Sequence, residues 1–581
     1  MKQSRLLNNI VGGSYEADER IAGCAVSQNL YAESVEEASN GFYYTSALRS
    51  VEGERVAFDF SPIAAAVDVN GQGFRGLFVA SDDSVFAAFG KIVVRMTKNP
   101  ITGFWSYETI YTQPLETIGR VRFCETGGIN SHVVWIDGTS VVKAYPLDPT
   151  KAEAQGIQVP IECRTPLRVY LTSDEIKQDT NQYVRPTSIC SLAGSLAIND
   201  PENDTWYYTD AYALGGTDYT RKVYDIDADG NIQYVSGTYE VKTKVVNITD
   251  VAQGSDTAYL WLDRYSKPKW VTAEYSADNV TGMTTCGDFL FVFGTRSVQV
   301  YNQQASTDAQ GFSSMVYSSM HRNVQDIGTR NPDTVSVVGG LVHWLGSSER
   351  GERSVLVSEG GVPRRISTNA IERELEGKNL EGAFGFGYSS NGHDFYCLTI
   401  PSIEKTFCYD AATRQWHNRS TLKDDNTDGA WWVRFAANAC GDIVIAGYGV
   451  PKMCALDKNK FDDYRGRSIV KRRTCPIIIS DFSPFMVNDI QLVWNTGTTT
   501  YPAGTDASDN PAVILEVSTD GGNTFDEGRY GYGGFQGQYG HRTIWYGIGS
   551  GTMFVFRFTI TDRVNVAITG AKISHTRLAH F

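Results

Sequence analysis

The sequence predicts an all-β protein: a β-propeller of six or seven blades with an inserted segment, followed by a separate C-terminal antiparallel β domain. Three observations carry this expectation. Apolar runs of strand length recur, separated by turn residues, with three or four strands to every roughly 40–50 residues, which is the rhythm of propeller blades. The 581 residues include 31 Tyr and 56 Gly, a composition suited to short strands and tight turns. Helical periodicity is confined to a short stretch around Ala370–Leu375.

The repeat is clearest between Asn279 and Asp457. Cys286–Gly294 (CGDFLFVFG) turns into Ser297–Tyr301, and Gly339–Gly346 (GGLVHWLG) turns into Ser354–Ser358. Phe384–Tyr388 breaks at Asn391-Gly392 and resumes at Phe395–Ile400 and Thr406–Asp410. Trp431–Phe435 breaks at Cys440-Gly-Asp442 and resumes at Ile443–Ala446. Apolar runs bounded by Gly, Asn and Asp are hairpin signals. One blade cannot bury both of its faces, so repeated blades imply a ring in which each covers the next.

The chain divides accordingly. Residues 1–60 suggest an extended arm ending in a strand or two. Residues 61–210 carry the first propeller part, with hairpins such as Gly76–Ala80 with Ser84–Phe89, then Gly119–Cys124, Ser131–Asp137 and Ser140–Tyr145. A third set runs from Arg185 to Tyr208. Residues 211–264 are too polar and too long for a blade loop and read as an insertion. Residues 265–467 hold the second propeller part, and 468–581 the C-terminal β domain, with longer strands at Asp489–Trp494, Ala512–Val517 and Met553–Ile560. A loop mixing Gly with aromatics, Gly528–Gly540, offers a surface for partners.

Charge and cysteine usage exclude several classes. A net charge of −14 is a poor match for gripping nucleic acid, which needs clustered Lys and Arg. The one basic cluster, Lys471-Arg-Arg473, reads as a solvated strand edge. Ten cysteines without metal-ligand spacing read as reduced, mostly buried thiols of a protein made in the cytoplasm. No run is long enough to span a membrane, and the N-terminus lacks a secretory h-region.

Few motifs point to chemistry. Ser518–Phe525 (STDGGNTF) has the Asp-box pattern, with Ser518, Asp520, Gly522, Thr524 and Phe525 at the defining positions. It is similar to the Asp boxes of sialidases and other propeller glycosidases, where it builds a hairpin away from the chemistry. Asp225, Asp227 and Asp229, followed by Gly230, match the first half of a calcium loop. The twelfth position is Ser236 in place of the bidentate Glu, so a solvated acidic turn competes with calcium binding. No other cofactor is implied. His343, beside Trp344 in an apolar run, reads as a core or blade-edge residue. No nucleophile elbow, P-loop or zinc-protease motif occurs.

The order of these segments resembles the tail hub, or packaged-DNA stabilisation, proteins of short-tailed bacteriophages. The resemblance rests on Gly41–Gly53, on Asp263–Tyr275 ahead of Gly287–Tyr301, and on Gly328–Asp333 ahead of the run with His343-Trp344. Its most specific part is His393–Pro401 with Thr406–Ala412 leading to Gln415-Trp416. Val298-Gln-Val-Tyr301 departs from it, with Gln299 where the family often carries Glu. The resemblance implies a non-enzymatic virion protein with no catalytic residues, assembled in the host bacterial cytoplasm. It implies a homo-oligomeric ring, typically a hexamer, below the portal and adaptor proteins. Such a ring extends the DNA channel as a nozzle, retains the packaged genome until ejection, and docks spikes, fibres or a plug. DNA would slide through an acidic lumen without specific binding. The alternative is a propeller glycosidase, or a non-catalytic carbohydrate-binding propeller, acting on host surface polysaccharide.

Overall fold

The computed structural model describes the chain apart from residues 1, 8–9, 18, 21–22, 34–46, 69, 114–118, 129–130, 151–158, 172–175, 211–218, 225–233, 236–237, 240, 247–259, 262–268, 274–277, 308–312, 321–325, 349–352, 482 and 579–581. The described residues form seven four-stranded antiparallel blades and a β-sandwich. Blade 1 is Phe74–Val79, Val85–Phe89, Ile92–Lys98 and Trp105–Thr112. Blade 2 is Arg122–Glu125, His132–Ile136, Val141–Pro146 and Ile161–Arg164. Blade 3 is Ile189–Leu192, Ser195–Asn199, Thr205–Tyr208 and Trp270–Thr272, and blade 4 is Val280–Cys286, Phe289–Gly294, Val298–Thr307 and Ser313–Ser319. Blade 5 is Ser336–Val338, Leu341–Leu345, Val355–Ser358 and Arg364–Arg365, and blade 6 is Phe384–Ser390, His393–Ile400, Lys405–Asp410 and Gln415–Leu422. Blade 7 is Phe435–Ala439, Asp442–Ala446 and Lys452–Asp457, completed on its outer edge by Gly53–Asp59 from the other end of the chain.

The apolar alternation explains why blades stack. In the second strand of blade 1, Val85, Ala87 and Phe89 pack toward blade 7, whereas Phe86 and Ala88 pack toward blade 2. In the second strand of blade 4, Leu290 and Val292 face blade 3, whereas Phe291 and Phe293 face blade 5. Such strands are buried on both sides and therefore read as continuous apolar runs, with alternate residues serving different cores. Each of the seven junctions between neighbouring blades has its own hydrophobic cluster.

The ring closes between blades 7 and 1. Phe74 N donates to Gly447 O at 3.3 Å, and Gly73 bridges Tyr448. The Gly53–Asp59 strand holds this closure from outside. Its buried Glu54 accepts hydrogen bonds from Trp431 Nε1 and Trp432 Nε1, both at 2.9 Å, and from Tyr464 N at 3.0 Å. Burial raises the Glu54 pKa, and these three donors oppose that. Near the axis the inner strands crowd together. Gly76 lies so near blade 2 that a Cβ would stand 2.3 Å from Val121 O.

The sandwich packs two sheets over one core. One sheet joins Leu30–Glu33, Ala47–Ser50, Ala567–Arg577, Phe485–Trp494 and Thr543–Gly551, with Lys2–Leu7 paired to Ala567–Arg577. The other contains Lys471–Thr474, Met553–Ile560, Ala512–Ser518 and Arg529–Tyr532. Phe485, Leu492 and Trp545 from the first meet Leu515, Phe556 and Phe558 from the second.

The segment 1–60 is expected from the sequence to be an arm with first strands. Its described residues are strands built into both domains, because the sandwich and blade 7 each lack an edge that this segment supplies. Cys24–Gln28 pairs antiparallel with Lys471–Thr474 of the sandwich, while Gln28 pairs in parallel with Asn418 of blade 6. A single hydrogen-bonded sheet thereby runs from the propeller into the sandwich. Asn29, held at φ +54°, fastens the seam: its amide nitrogen donates to Ser420 Oγ at 2.9 Å and to Val470 O at 2.7 Å. Asn tolerates this left-handed conformation better than most residues.

The polar stretch after Tyr208 falls between the third and outer strands of blade 3, and its Leu260 and Trp261 return to the core between blades 2 and 3, where Trp261 Nε1 donates to Arg164 O at 3.0 Å. It contains the paired strands Tyr219–Tyr224 and Val241–Val246. The short helix occupies Asn369–Leu375, capped by Thr368, and buries Ile371 and Leu375 between blades 5 and 6.

Candidate functional site at the propeller axis

The chain segments that enter the inner strands converge on the axis. Those of blades 2, 5 and 7 carry Arg120 and Arg122, Asp333, and Arg434 respectively. These blades are not neighbours, so their side chains meet only across the axis. Asp333 Oδ1 accepts from Arg122 Nη2 at 2.5 Å and pairs with Arg120 Nη1 at 3.1 Å, while Oδ2 accepts from Arg434 Nη2 at 3.3 Å. Arg120 also donates to Asp333 O at 3.2 Å. Aromatic rings support the guanidinium groups: Arg120 lies 5.2 Å from the Phe435 ring centroid, and Arg434 lies 5.0 Å from Phe384 and 6.0 Å from Tyr448.

The electrostatics follow from this crowding. Burial disfavours the charged form of Asp333, yet the charges of Arg120, Arg122 and Arg434 outweigh it and hold the carboxyl well below the usual carboxylate range. Burial pushes Arg122 down to about 10, with Arg120 and Arg434 adding to the effect and Asp333 opposing it. Asp333 therefore stays ionised at neutral pH and cannot deliver the proton a glycosidase acid must supply. Side chains from opposite blades in direct contact also leave no passage for a nucleic-acid duplex along the axis of one copy.

The motifs singled out from sequence lie elsewhere. At the Asp box, Asp520 accepts from Asn523 N and Thr524 N, each at 3.0 Å, and from Thr524 Oγ1 at 2.6 Å. Ser518 Oγ accepts from Gly522 N at 2.9 Å, and the Phe525 ring lies 3.8 Å beneath the Arg557 guanidinium. The hydrogen bonds from Ser518 and Thr524 hold the Asp520 carboxyl below its ordinary range. This turn belongs to the sandwich, remote from the axis cluster. Asp225, Asp227 and Asp229 lie outside the described residues. Among the described residues no group of three or more His, Cys, Asp and Glu side chains has the geometry to hold a metal. A polar groove of about 650 Å³ beside blades 6 and 7 contains Asp442 and Asp457, but their charge is already met by Lys98 and Arg55.

The basic cluster Lys471–Arg473 is corrected from a solvated edge to an interior strand. Arg473 donates to Ile10 O at 2.7 Å, Gly13 O at 3.1 Å and Ser27 Oγ at 2.9 Å. Lys471 donates to Asp562 O at 2.8 Å, and burial pushes its pKa down to about 7. Backbone carbonyls, those of the N-terminal segment for Arg473 and that of Asp562 for Lys471, thus take the place of solvent. His343 is buried, stacked on Tyr396 with centroids 5.0 Å apart, and burial pushes its pKa down to about 4. All ten cysteines are free, and nine are buried.

A second surface is apolar. Tyr530, Tyr532, Phe535, Tyr539 and Tyr546 are exposed on the sandwich, with Tyr539 and Tyr546 more than 70% accessible. They decorate the two adjoining edge strands Arg529–Tyr532 and Thr543–Gly551 and the Gly-rich loop between them. No described helix is long and apolar enough to cross a membrane.

Two β domains joined by a shared sheet, with a salt-bridged propeller axis, define an all-β scaffold. The comparisons place it. Residues 184–459 match the family model of the bacteriophage P22 Gp10 β-propeller, and residues 470–576 match that of the P22 Gp10 β-sandwich. The chain belongs to the bacteriophage P22 Gp10 family, the tail hub proteins of short-tailed phages. It is thus similar to structural components of a phage tail. No curated protein sequence matches the chain. Among solved structures, the extracellular domain of the putative one-component system BT4673 from B. thetaiotaomicron aligns at 9% identity and a TM-score of 0.36, covering 89% of this chain and 58% of that one. Kluyveromyces lactis Hsv2 aligns at 9% identity and a TM-score of 0.24, covering 60% of this chain and 97% of that one.

Proposed function

We propose that this protein is the tail hub, or nozzle, of a short-tailed phage. In this reading several copies, six in the expected ring, surround a lumen below the portal and adaptor proteins. The ring continues the DNA channel, retains packaged DNA until ejection, and docks spikes, fibres or a plug. The protein works by shape and contact and carries no catalytic residues. It assembles onto filled heads in the host cytoplasm and travels in the virion. The observation that carries the reading is the family match, which covers both domains in their order along the chain. The axis geometry supports it: one copy cannot thread DNA through its own propeller, so a conduit requires several copies around a shared opening. The exposed Tyr and Phe surface of the sandwich suits protein contacts, where aromatic anchors dominate binding.

The test uses particles made without this protein. Heads that fill and then lose DNA, and that regain retention together with a ring at the portal vertex when purified protein is added, support the hub. Heads that hold their DNA without it refute the retention role.

A further inference from the structure

We propose that the propeller axis is a binding site for a doubly charged oxyanion, a phosphate either free or as a monoester, held by Arg120, Arg122 and Arg434. The inference is independent of the hub role.

Charge is the first argument. Among the described residues, three guanidinium groups share one carboxylate, Asp333, which leaves a surplus of two positive charges in this cluster. Groups drawn this far out of water are normally paired. A lock between blades would need one arginine for one aspartate; the second and third add repulsion, which joins the larger effect of burial in lowering the Arg122 pKa. A phosphate monoester, carrying about −1.5 to −2 near neutral pH, cancels the surplus.

Unused donors are the second argument. Each guanidinium offers five N–H groups in a planar fork, a geometry matched to phosphate. Asp333 takes up the Nη atoms named above. Arg434 Nε is buried and makes no hydrogen bond among the described residues. A buried charged donor left this way is costly unless an acceptor arrives.

Access and preorganisation are the third. The four charged side chains keep between 19% and 27% of their surface open, so an anion from solvent can reach them. Phe384, Phe435 and Tyr448 hold the guanidinium planes in place, which limits the ordering that binding requires. A ligand bridging blades 2, 5 and 7 would fasten the ring from its centre, as Gly53–Asp59 fastens it from the rim.

The experiment titrates inorganic phosphate into the purified full-length chain by calorimetry, against chloride at matched ionic strength, with the melting temperature followed in parallel. A net charge of −14 disfavours indiscriminate anion uptake, so saturable binding reports a local site. The expected result is one phosphate per chain and a rising melting temperature. Arg434→Gln and Arg122→Gln should each weaken binding about 10-fold or more, the effect of one charged hydrogen bond. Asp333→Asn removes the competing carboxylate and should tighten binding about 10-fold. If that variant does not fold, the two arginine variants decide. Absence of saturable binding at millimolar phosphate overturns the proposal, as does binding that both arginine variants leave unchanged. Acetate competing as well as phosphate overturns the assignment to a dianion.

Discussion

Gly387 sets a sharp test of how the ring is packed. It lies on the inner strand of blade 6, facing blade 5, between Phe386 and Tyr388, which both point into the opposite core with blade 7. A Cβ at this position would stand 1.9 Å from Val338 Cγ2 and 3.1 Å from Val338 Cβ. Ordinary carbon contacts are about 3.5–4.0 Å, so Gly387→Ala forces a displacement of about 1.5–2 Å or an off-rotamer valine. Val338 has little freedom to give: it is β-branched, buried and paired with Leu341. Overpacking of this kind costs about 1–3 kcal/mol, and the tightness of the contact places it near about 3. Val338→Ala alone removes two methyl carbons and costs about 1.6 kcal/mol. The double variant should cost about 2 kcal/mol, well below the sum of about 4.6, because the second change makes room for the first. At about 2.1 cal/mol/K of unfolding entropy per residue, a cooperative unit of about 400 residues loses about 1 °C per kcal/mol. Thermal melts followed by circular dichroism should therefore show Gly387→Ala about 3 °C below wild type and the double variant about 2 °C below. A single variant that melts with wild type, or a second change that lowers the melting point further, refutes the reasoning.

Four further outcomes follow from particular side chains. His343 is neutral and buried with its pKa lowered to about 4, so its contribution is present above the unfolded value near 6.5 and is lost as pH falls from there toward 4. The loss is on the order of 3 kcal/mol, and His343→Asn should flatten the melting temperature over that window; an unchanged profile counts against the assignment. His393 runs the other way: its bond to Asp410 raises its pKa, so its contribution is present below about 6.5 and lost as pH rises through the elevated value, visible as a histidine NMR signal titrating above 6.5. Arg473→Ala leaves Ile10 O, Gly13 O and Ser27 Oγ without their donor, at about 1–3 kcal/mol for each acceptor left unsatisfied, and should expose the first 20 residues to limited proteolysis. Replacing Tyr530, Tyr539 and Tyr546 with Ser should leave stability within about 0.5 kcal/mol per site while reducing incorporation into particles; normal incorporation would exclude this surface from assembly.

The sequence by itself determined the all-β class, the blade rhythm and the C-terminal sandwich. Those follow from local rules: strand alternation and turn residues act over a few neighbours, and runs such as Phe289–Gly294 carry both of their faces in plain view. Glycine spacing at Gly385 and Gly387 was legible as strand, though its purpose, close approach to blade 5, was not. Only the tertiary structure decided that strands from the described part of the first 60 residues complete blade 7 and the sandwich, since an edge strand is defined by the vacancy it fills about 400 residues away in blade 7 and more than 550 away in the sandwich. Lys471 and Arg473 misread for the same reason: long charged side chains look solvent-bound until the carbonyls that receive them are known. The axis cluster shows the limit most plainly. Arg120, Arg122, Asp333 and Arg434 each sit at the start of an inner strand, a signal present in the sequence, but they lie up to more than 300 positions apart. Their meeting depends on how many blades close the ring and which entry segments then oppose one another, and that is fixed only when seven hydrophobic junctions pack at once.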